Sequence, residues 1–399
     1  MSPSRIGLPK RATKAPARSI APSIARTTSV MRLLATGISG SPGVYGCANP
    51  TTVGRRYPRA VNPRSRLAWF AAVAFVAIFG VAELAGWIAE SLRGPSWWAI
   101  DLDLVLDAGR RLGSAQPLYA DPKFLYPPLA AVVAAPLGSL DPFVLSLAYV
   151  ALKLGLTVAG VAALTSGWEL RDRGLVLVGL VTSLPYLHDV MLGNANVLLV
   201  AAIAMAAFAR PTPRSGIALG IVAAVFAKPL VVPVLLWLLV FRRPVLLGTV
   251  ASGLAATLVG LVVTGPAAYL AWVSGLVEGG RYAAPFAGNH GVTALAPALW
   301  APVAAITAIG LLLVLARRGP RVGLVWAVVS GILLAPYAGT YAALPVVVAL
   351  PVIGPAAPLL ALAIVALSPV ATTHPLPLYA AAILLAALAL REPAAWRSR

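Results

Sequence analysis

One cysteine, Cys47, in 399 residues excludes a disulfide framework and a cysteine metal cluster. Charge is scarce as well. Charged residues make up 11% of the chain, against about 25% in a soluble domain, too few to cover a water-facing surface. Acids are scarcest, with 12 Asp and Glu beside 31 Lys and Arg. What abounds is apolar: 60% of residues are hydrophobic and the mean hydropathy is +0.88. Apolar stretches recur from residue 67 onward, many near the roughly 17–25 residues that cross a bilayer. The composition predicts an all-α integral membrane protein, a polytopic helical bundle set in the lipid bilayer.

The formal charge of +19 raises the question of a nucleic-acid partner, and its distribution answers against one. Residues 1–66 hold twelve Lys or Arg and no acid, amid Ser, Pro, Thr and Gly. Such a segment cannot bury enough apolar surface to fold. It reads as a disordered basic cytoplasmic tail that touches anionic lipid; a start at Met31 is the alternative. A cleaved signal peptide is disfavoured, because the first apolar run begins too late. The expected organisation is this tail, a transmembrane domain over 67–391, and a short cytoplasmic tail over 392–399.

Arginine-rich short loops should lie on the cytoplasmic side, and that rule threads the chain. A first span over 67–89 leads out to a long loop holding Asp101, Asp103, Asp107 and Asp121. The loop includes a Pro-bounded apolar piece, 126–140, with room for a membrane-surface helix. A span over 143–166 returns to Arg171 and Arg173, and the next run exits near Pro185 to present His188, Asp189, Asn194 and Asn196 outside. Residues 215–241 lie between Arg214 and the Arg242-Arg243 pair. One helix would put those arginines on opposite faces, whereas a hairpin broken at Lys228-Pro229 puts both inside. Each arm, about 13 residues, rises about 20 Å, short of a hydrocarbon core of about 30 Å. Lys228 should then sit at a recessed apex, where a lone cation is a functional candidate. About ten to twelve crossings result by this rule, with both termini inside, His290 and His374 outside, and Arg317, Arg318, Arg321 and Arg391 inside.

No Walker loop and no Gly-rich dinucleotide fingerprint occurs, which disfavours nucleotide chemistry. No His or carboxylate cluster has metal-ligand spacing. Mid-span ionisable candidates are few: Glu83, Lys153 and Lys228. In 101–111, helical spacing aligns Asp103, Asp107 and Arg110 on one face, most simply a solvated face. Asp101 stands at the start, suited to capping a helix or to facing a site. Asn194, His188 and His290 are most simply structural hydrogen-bonders.

The run from Asp101 to Leu140 resembles the first outer loop of glycosyltransferase family 87 at Asp101, Ala108-Gly109, Leu118-Tyr119 and Tyr126-Pro127-Pro128-Leu129. Gly193-Asn194-Ala195-Asn196 is similar to the family's Gly-Gln-x-Asn. The stretch from Gly216 to Pro229 is similar to its Ala-Gly-rich span ending in Lys-Pro. Asn289-His290 resembles its Asn-Gln pair, and Ala335-Pro336-Tyr337 its Ser-Pro-aromatic segment; Thr340-Tyr341 stand where some members carry His. The resemblance implies a GT-C fold and inverting transfer of a sugar from a polyprenyl-phosphate donor to a hydroxyl of a glycolipid or glycan acceptor. Mannose leads, with arabinofuranose as the alternative, and neither ATP nor an obligatory metal or other cofactor is demanded. It further implies Asp101 as catalytic base and Lys228, Arg110 and Arg281 at the donor phosphate. Tyr119, Tyr126, Asn194, Asn196, Asn289, His290 and Tyr337 would contact substrate. The implied location is the plasma (inner) membrane with the site on its outer face. A secondary transporter or lipid flippase is the rival class, since a broken helix at mid-depth also suits one.

Overall fold

The computed structural model describes residues 99–283, 289–366 and 375–391, with further helical residues scattered through 70–89. Both tails, Glu83 and His374 lie outside the described residues. All regular structure among the described residues is helical. Helix α1 (Ile100–Gly113) and the short α2 (Pro128–Ala134) with its 3-10 extension Ala135–Leu137 form the loop region. Then come α3 (Pro142–Leu164), α4 (Leu170–Val181), α5 (Leu184–Met191), α6 (Asn196–Phe208), α7 (Ile217–Phe226), α8 (Val231–Phe241) and α9 (Arg243–Thr264). After α10 (Pro266–Ala283) follow α11 (Trp300–Arg317), α12 (Pro320–Leu334), a 3-10 stretch Thr340–Ala349, α13 (Leu350–Ile353), α14 (Ala356–Ala366) and α15 (Leu376–Leu390).

Three spans among the described residues are long and apolar enough to cross a bilayer: α3, α9 and Pro297–Arg317. The α4–α5 pair, bent by 58°, makes a fourth if taken as one broken span. The bend falls where Ser183 Oγ bonds the Leu180 carbonyl at 2.6 Å and Pro185 enters the first turn of α5. Shorter apolar helices, including α6, α8, α12 and α15, complete the bundle. α12 is buried on all sides, with Leu324, Val325, Ala327, Val328 and Val329 each at most 2% exposed. Its sequence is accordingly apolar around the whole circumference. α8 and α15 pack on it through Val234, Leu238, Ala382 and Leu385.

Side-chain ties show which helix ends lie together. α7 and α9 run side by side in the same direction: Thr249 Oγ1 bonds the Gly216 carbonyl at 3.2 Å and Ser252 Oγ the Ile217 carbonyl at 3.1 Å. Small residues allow this approach, since a Cβ on Gly220 would strike the Thr249 carbonyl. α8 runs back in the opposite direction, as Arg242 Nη1 at its foot donates to the Ala209 carbonyl at 2.7 Å, at the end of α6. Trp237 Nε1, also low on α8, donates to the Pro320 carbonyl at 2.7 Å, at the start of α12. Arg210, Arg214, Arg242, Arg243, Arg318 and Arg321 therefore gather at one end of the bundle. The hairpin expected over 215–241 is present: α7 ends at Phe226, Ala227 takes a left-handed conformation (φ 45°), and α8 begins at Val231. Lys228 is its apex, at the end opposite the arginines.

Candidate functional site

At the Lys228 end, the turn between α5 and α6 meets the start of α1. The Ala99 N–H donates to the Met191 carbonyl at 2.7 Å and the Asp101 N–H to the Leu192 carbonyl at 2.8 Å. Gly193 (φ +72°) lets the turn pass α1, for a Cβ there would come within 2.7 Å of Leu102 Cβ. Ala99, not Asp101, is the N-cap residue of α1. The Asp101 side chain instead points at Asn194, whose Nδ2 donates to Asp101 Oδ2 at 2.6 Å.

Asn194 is the hub. Its Oδ1 accepts from Lys228 Nζ at 3.0 Å, from the Ala195 N–H at 2.7 Å and from Asn196 Nδ2 at 3.0 Å. Its carbonyl accepts from Tyr149 Oη at 3.0 Å. Asn194 and Asn196 are buried, whereas Asp101 and Lys228 are partly exposed and form the open side of the group. Lys228 Nζ stands 5.8 Å from the Tyr126 ring and 5.7 Å from the Tyr341 ring, within cation–π range. Burial pushes the Asp101 carboxyl above the usual carboxylate range; the Lys228 ammonium, then the Asn194 hydrogen bond, pull it back.

Beneath the hub lies a second charged group that the threading did not anticipate. Asp189 is fully buried on α5, and its Oδ2 is 3.0 Å from Nζ of Lys153, halfway along α3. His188, beside it, places Nδ1 2.5 Å from Thr340 Oγ1. Both were expected on the outer side of the membrane, with His188 a structural hydrogen-bonder. Asp189 is buried because a lysine in the middle of an apolar helix requires an anion at its own depth, and Asp189 supplies it. Lys153 was visible in the sequence as a mid-span cation, a signal that calls for a neutralising acid on another helix. Tyr341 was marked only by its place after Pro336-Tyr337, where some members of the resembled family carry His.

The remaining candidates divide. Tyr119 Oη donates to the Tyr126 carbonyl at 2.9 Å, and Tyr119, Phe124, Tyr126 and Phe226 form a chain of ring contacts. This chain folds the loop over the apex of the hairpin, so Tyr119 supports Tyr126. Ala108 and Gly109 are buried where α1 crosses α2. Arg110 is drawn elsewhere: it pairs with Asp107 at 2.6 Å, and its Nε donates to the Gly138 carbonyl at 3.1 Å. Asn289 Oδ1 accepts from the Gly291 N–H at 2.8 Å and the Ala338 N–H at 3.3 Å, while the His290 N–H donates to the Ala338 carbonyl at 2.6 Å. These bonds pin the segment carrying Tyr337, itself 36% exposed. Arg281 belongs to the last turn of α10, and its side chain lies outside the described residues. Among the described residues no three His, Cys, Asp or Glu converge on a metal position.

The arrangement offers a carboxylate and an ammonium held on one amide, with aromatic rings beside them. That set can accept a proton from a hydroxyl and face an anion at the same time. A family model described as glycosyltransferase family 87 matches residues 124–349, more than half of the chain. No curated protein and no solved structure matches. The matched stretch contains Tyr126, Asn194, Asn196, Lys228, Asn289, His290 and Tyr337, and begins after Asp101, Arg110 and Tyr119.

Proposed function

The chain belongs to glycosyltransferase family 87 and is a membrane glycosyltransferase, and we propose that its donor is a polyprenyl-phosphate sugar, mannose before arabinofuranose. The acceptor is a hydroxyl of a cell-envelope glycolipid or glycan, and transfer proceeds with inversion on the outer face of the plasma membrane by a GT-C-type bundle of ten to twelve spans. The observation that carries this reading is the Asp101–Asn194–Lys228 junction, with separations of 2.6 and 3.0 Å.

In the proposed step Asp101 Oδ1 takes the acceptor hydroxyl proton while the acceptor oxygen attacks the anomeric carbon from the face opposite the phosphate. The anomeric carbon–oxygen bond breaks, and its electron pair leaves with the polyprenyl phosphate. Lys228 faces the growing phosphate charge from a site already oriented for it. A single displacement inverts the anomeric centre, and the proton on Asp101 passes to water afterwards. The leaving group departs as an anion, so the step draws on no nucleotide.

The test is transfer by the purified protein in lipid nanodiscs, offered a panel of polyprenyl-phosphate sugars and, separately, nucleotide sugars. Transfer from at least one polyprenyl-phosphate sugar and from no nucleotide sugar is expected. Direct use of a nucleotide sugar, or movement of the donor lipid across the bilayer with no sugar transferred, would overturn the reading.

A further inference from the structure

Lys153 and Asp189 have no part in the step above, yet both are fully buried directly behind it. Burying an ion pair is a poor way to gain stability, because desolvation offsets most of the attraction. The pair has a different consequence. Asp189 Oδ1 accepts from both the backbone N–H and the side-chain Nδ2 of Asn196, at 2.9 and 3.0 Å. The other hydrogen of that Nδ2 goes to Asn194 Oδ1 at 3.0 Å. An amide nitrogen held between two acceptor oxygens has one orientation only. Asn194 is constrained in turn, because three donors converge on its Oδ1: Asn196 Nδ2, the Ala195 N–H and Lys228 Nζ. Turning the Asn194 amide over would set its NH2 against those donors and its oxygen against the Asp101 carboxylate.

The geometry points to the Lys153–Asp189 pair as the positioning unit of the catalytic base, which it commands through Asn196. The pair selects which end of the Asn194 amide meets Asp101. It thereby keeps a donor on Asp101 Oδ2 and leaves Oδ1 for the acceptor hydroxyl, without touching either substrate. Lys153, Asp189 and Asn196 are thus positioning residues in three different elements, α3, α5 and α6. The inference rests on the reading of Asp101 as the base. The charged groups that act on Asp101 are Lys228, Asp189 and Lys153, and its own charge acts in turn on the hydroxyls of Tyr126, Tyr149, Tyr337 and Tyr341.

Asn196→Ala removes both side-chain bonds of the link and keeps the ion pair and the backbone N–H. A lost hydrogen bond to the charged carboxylate raises its pKa, so the acid limb of the kcat/KM profile should move to higher pH. Turnover should fall about tenfold, as expected when a reacting group is slightly misplaced, with the donor KM within about twofold. A second variant, Lys153→Met with Asp189→Asn, strands no charge and retains an acceptor oxygen for Asn196. It should fold and lower turnover by less than Asn196→Ala, at an unchanged donor KM, a neutral amide being the weaker acceptor. An unmoved acid limb in Asn196→Ala, or wild-type turnover in the double variant, with the melting temperature unchanged and Asp101→Asn inactive, would overturn the inference while leaving the base in place. Near-wild-type transfer by Asp101→Asn would overturn the base assignment and the inference with it.

Discussion

Two lysines are tied into one hydrogen-bond network, and their surroundings differ in kind. Lys153 is closed off: it is 0% exposed, paired with the Asp189 carboxylate at 3.0 Å, bonded to the Asp189 carbonyl at 2.5 Å and set 4.5 Å from the Tyr149 ring. Lys228 is partly exposed, rests on a neutral amide oxygen at 3.0 Å and two tyrosine rings, and makes no ion pair among the described residues. A cation saturated by its own carboxylate has nothing left for a ligand. One presented on neutral partners keeps most of its charge available. The difference follows from position, since Lys153 lies in the middle of an unbroken helix and Lys228 at a hairpin apex freed by Pro229 and a left-handed Ala227.

That contrast can be broken first at its closed half. Asp189→Ala strands Lys153 in the core, a change that costs about 3–5 kcal/mol. A sharp fall in melting temperature is expected, with substantial recovery when Lys153→Met is added. Equal melting of Asp189→Ala and wild type would remove the distinction between the two lysines. Asp101→Asn comes next. It keeps shape and one hydrogen bond but removes the proposed base, and a loss of transfer of at least about 100-fold is expected with an unchanged melting temperature. Because burial holds the Asp101 carboxyl above the usual range, wild-type transfer should decline as pH falls through that raised value, earlier than an ordinary carboxylate would give. A flat profile down to the ordinary carboxylate range would count against Asp101.

Smaller effects sharpen the picture. Gly193→Ala forces a left-handed side-chain-bearing residue against Leu102, costing about 1–2 kcal/mol. Since the same turn carries Asn194, transfer should fall along with stability. A variant with intact stability and activity would show that the turn does not set the hub. The sidedness of the two ends is tested on a Cys47→Ser background with a membrane-impermeant thiol reagent. A cysteine at Ala120 should be labelled in intact cells, and cysteines at Gly319 and Pro213 should not. Labelling at Gly319 would put the arginine end outside.

The contrast also separates what the amino-acid order disclosed from what it withheld. The bundle class follows from composition, because a chain with 11% charged residues can fold only where lipid covers most of its surface. The break at Lys228-Pro229 was legible because proline acts locally and because Arg214 and Arg242-Arg243 had to share an end. The Lys153–Asp189 pair was not, since the partners are 36 residues apart on separate helices and no periodicity marks them. Asp101 stood out by its place at the head of 101–111 and its match to the family's aspartate, but its partner Asn194, 93 residues away, emerges only from the crossing of α1 with the α5–α6 turn. Arg110, one helix face away from Asp101 in sequence, is diverted by its neighbour Asp107 and the Gly138 carbonyl, a local pairing that outcompetes a distant site.

The central claim is that Lys228 is the open cation that receives the donor phosphate. Its most direct test is the affinity of a soluble short-chain polyprenyl-phosphate sugar for the purified wild type and for Lys228→Met and Lys228→Arg. A hydrogen bond to a charged group contributes about 1.5–3 kcal/mol. Lys228→Met should therefore bind roughly ten- to a hundredfold more weakly, with its melting temperature preserved and Lys228→Arg intermediate. Equal affinity in wild type and Lys228→Met would contradict the account and leave Lys228 as a side chain that merely rests on its tyrosines.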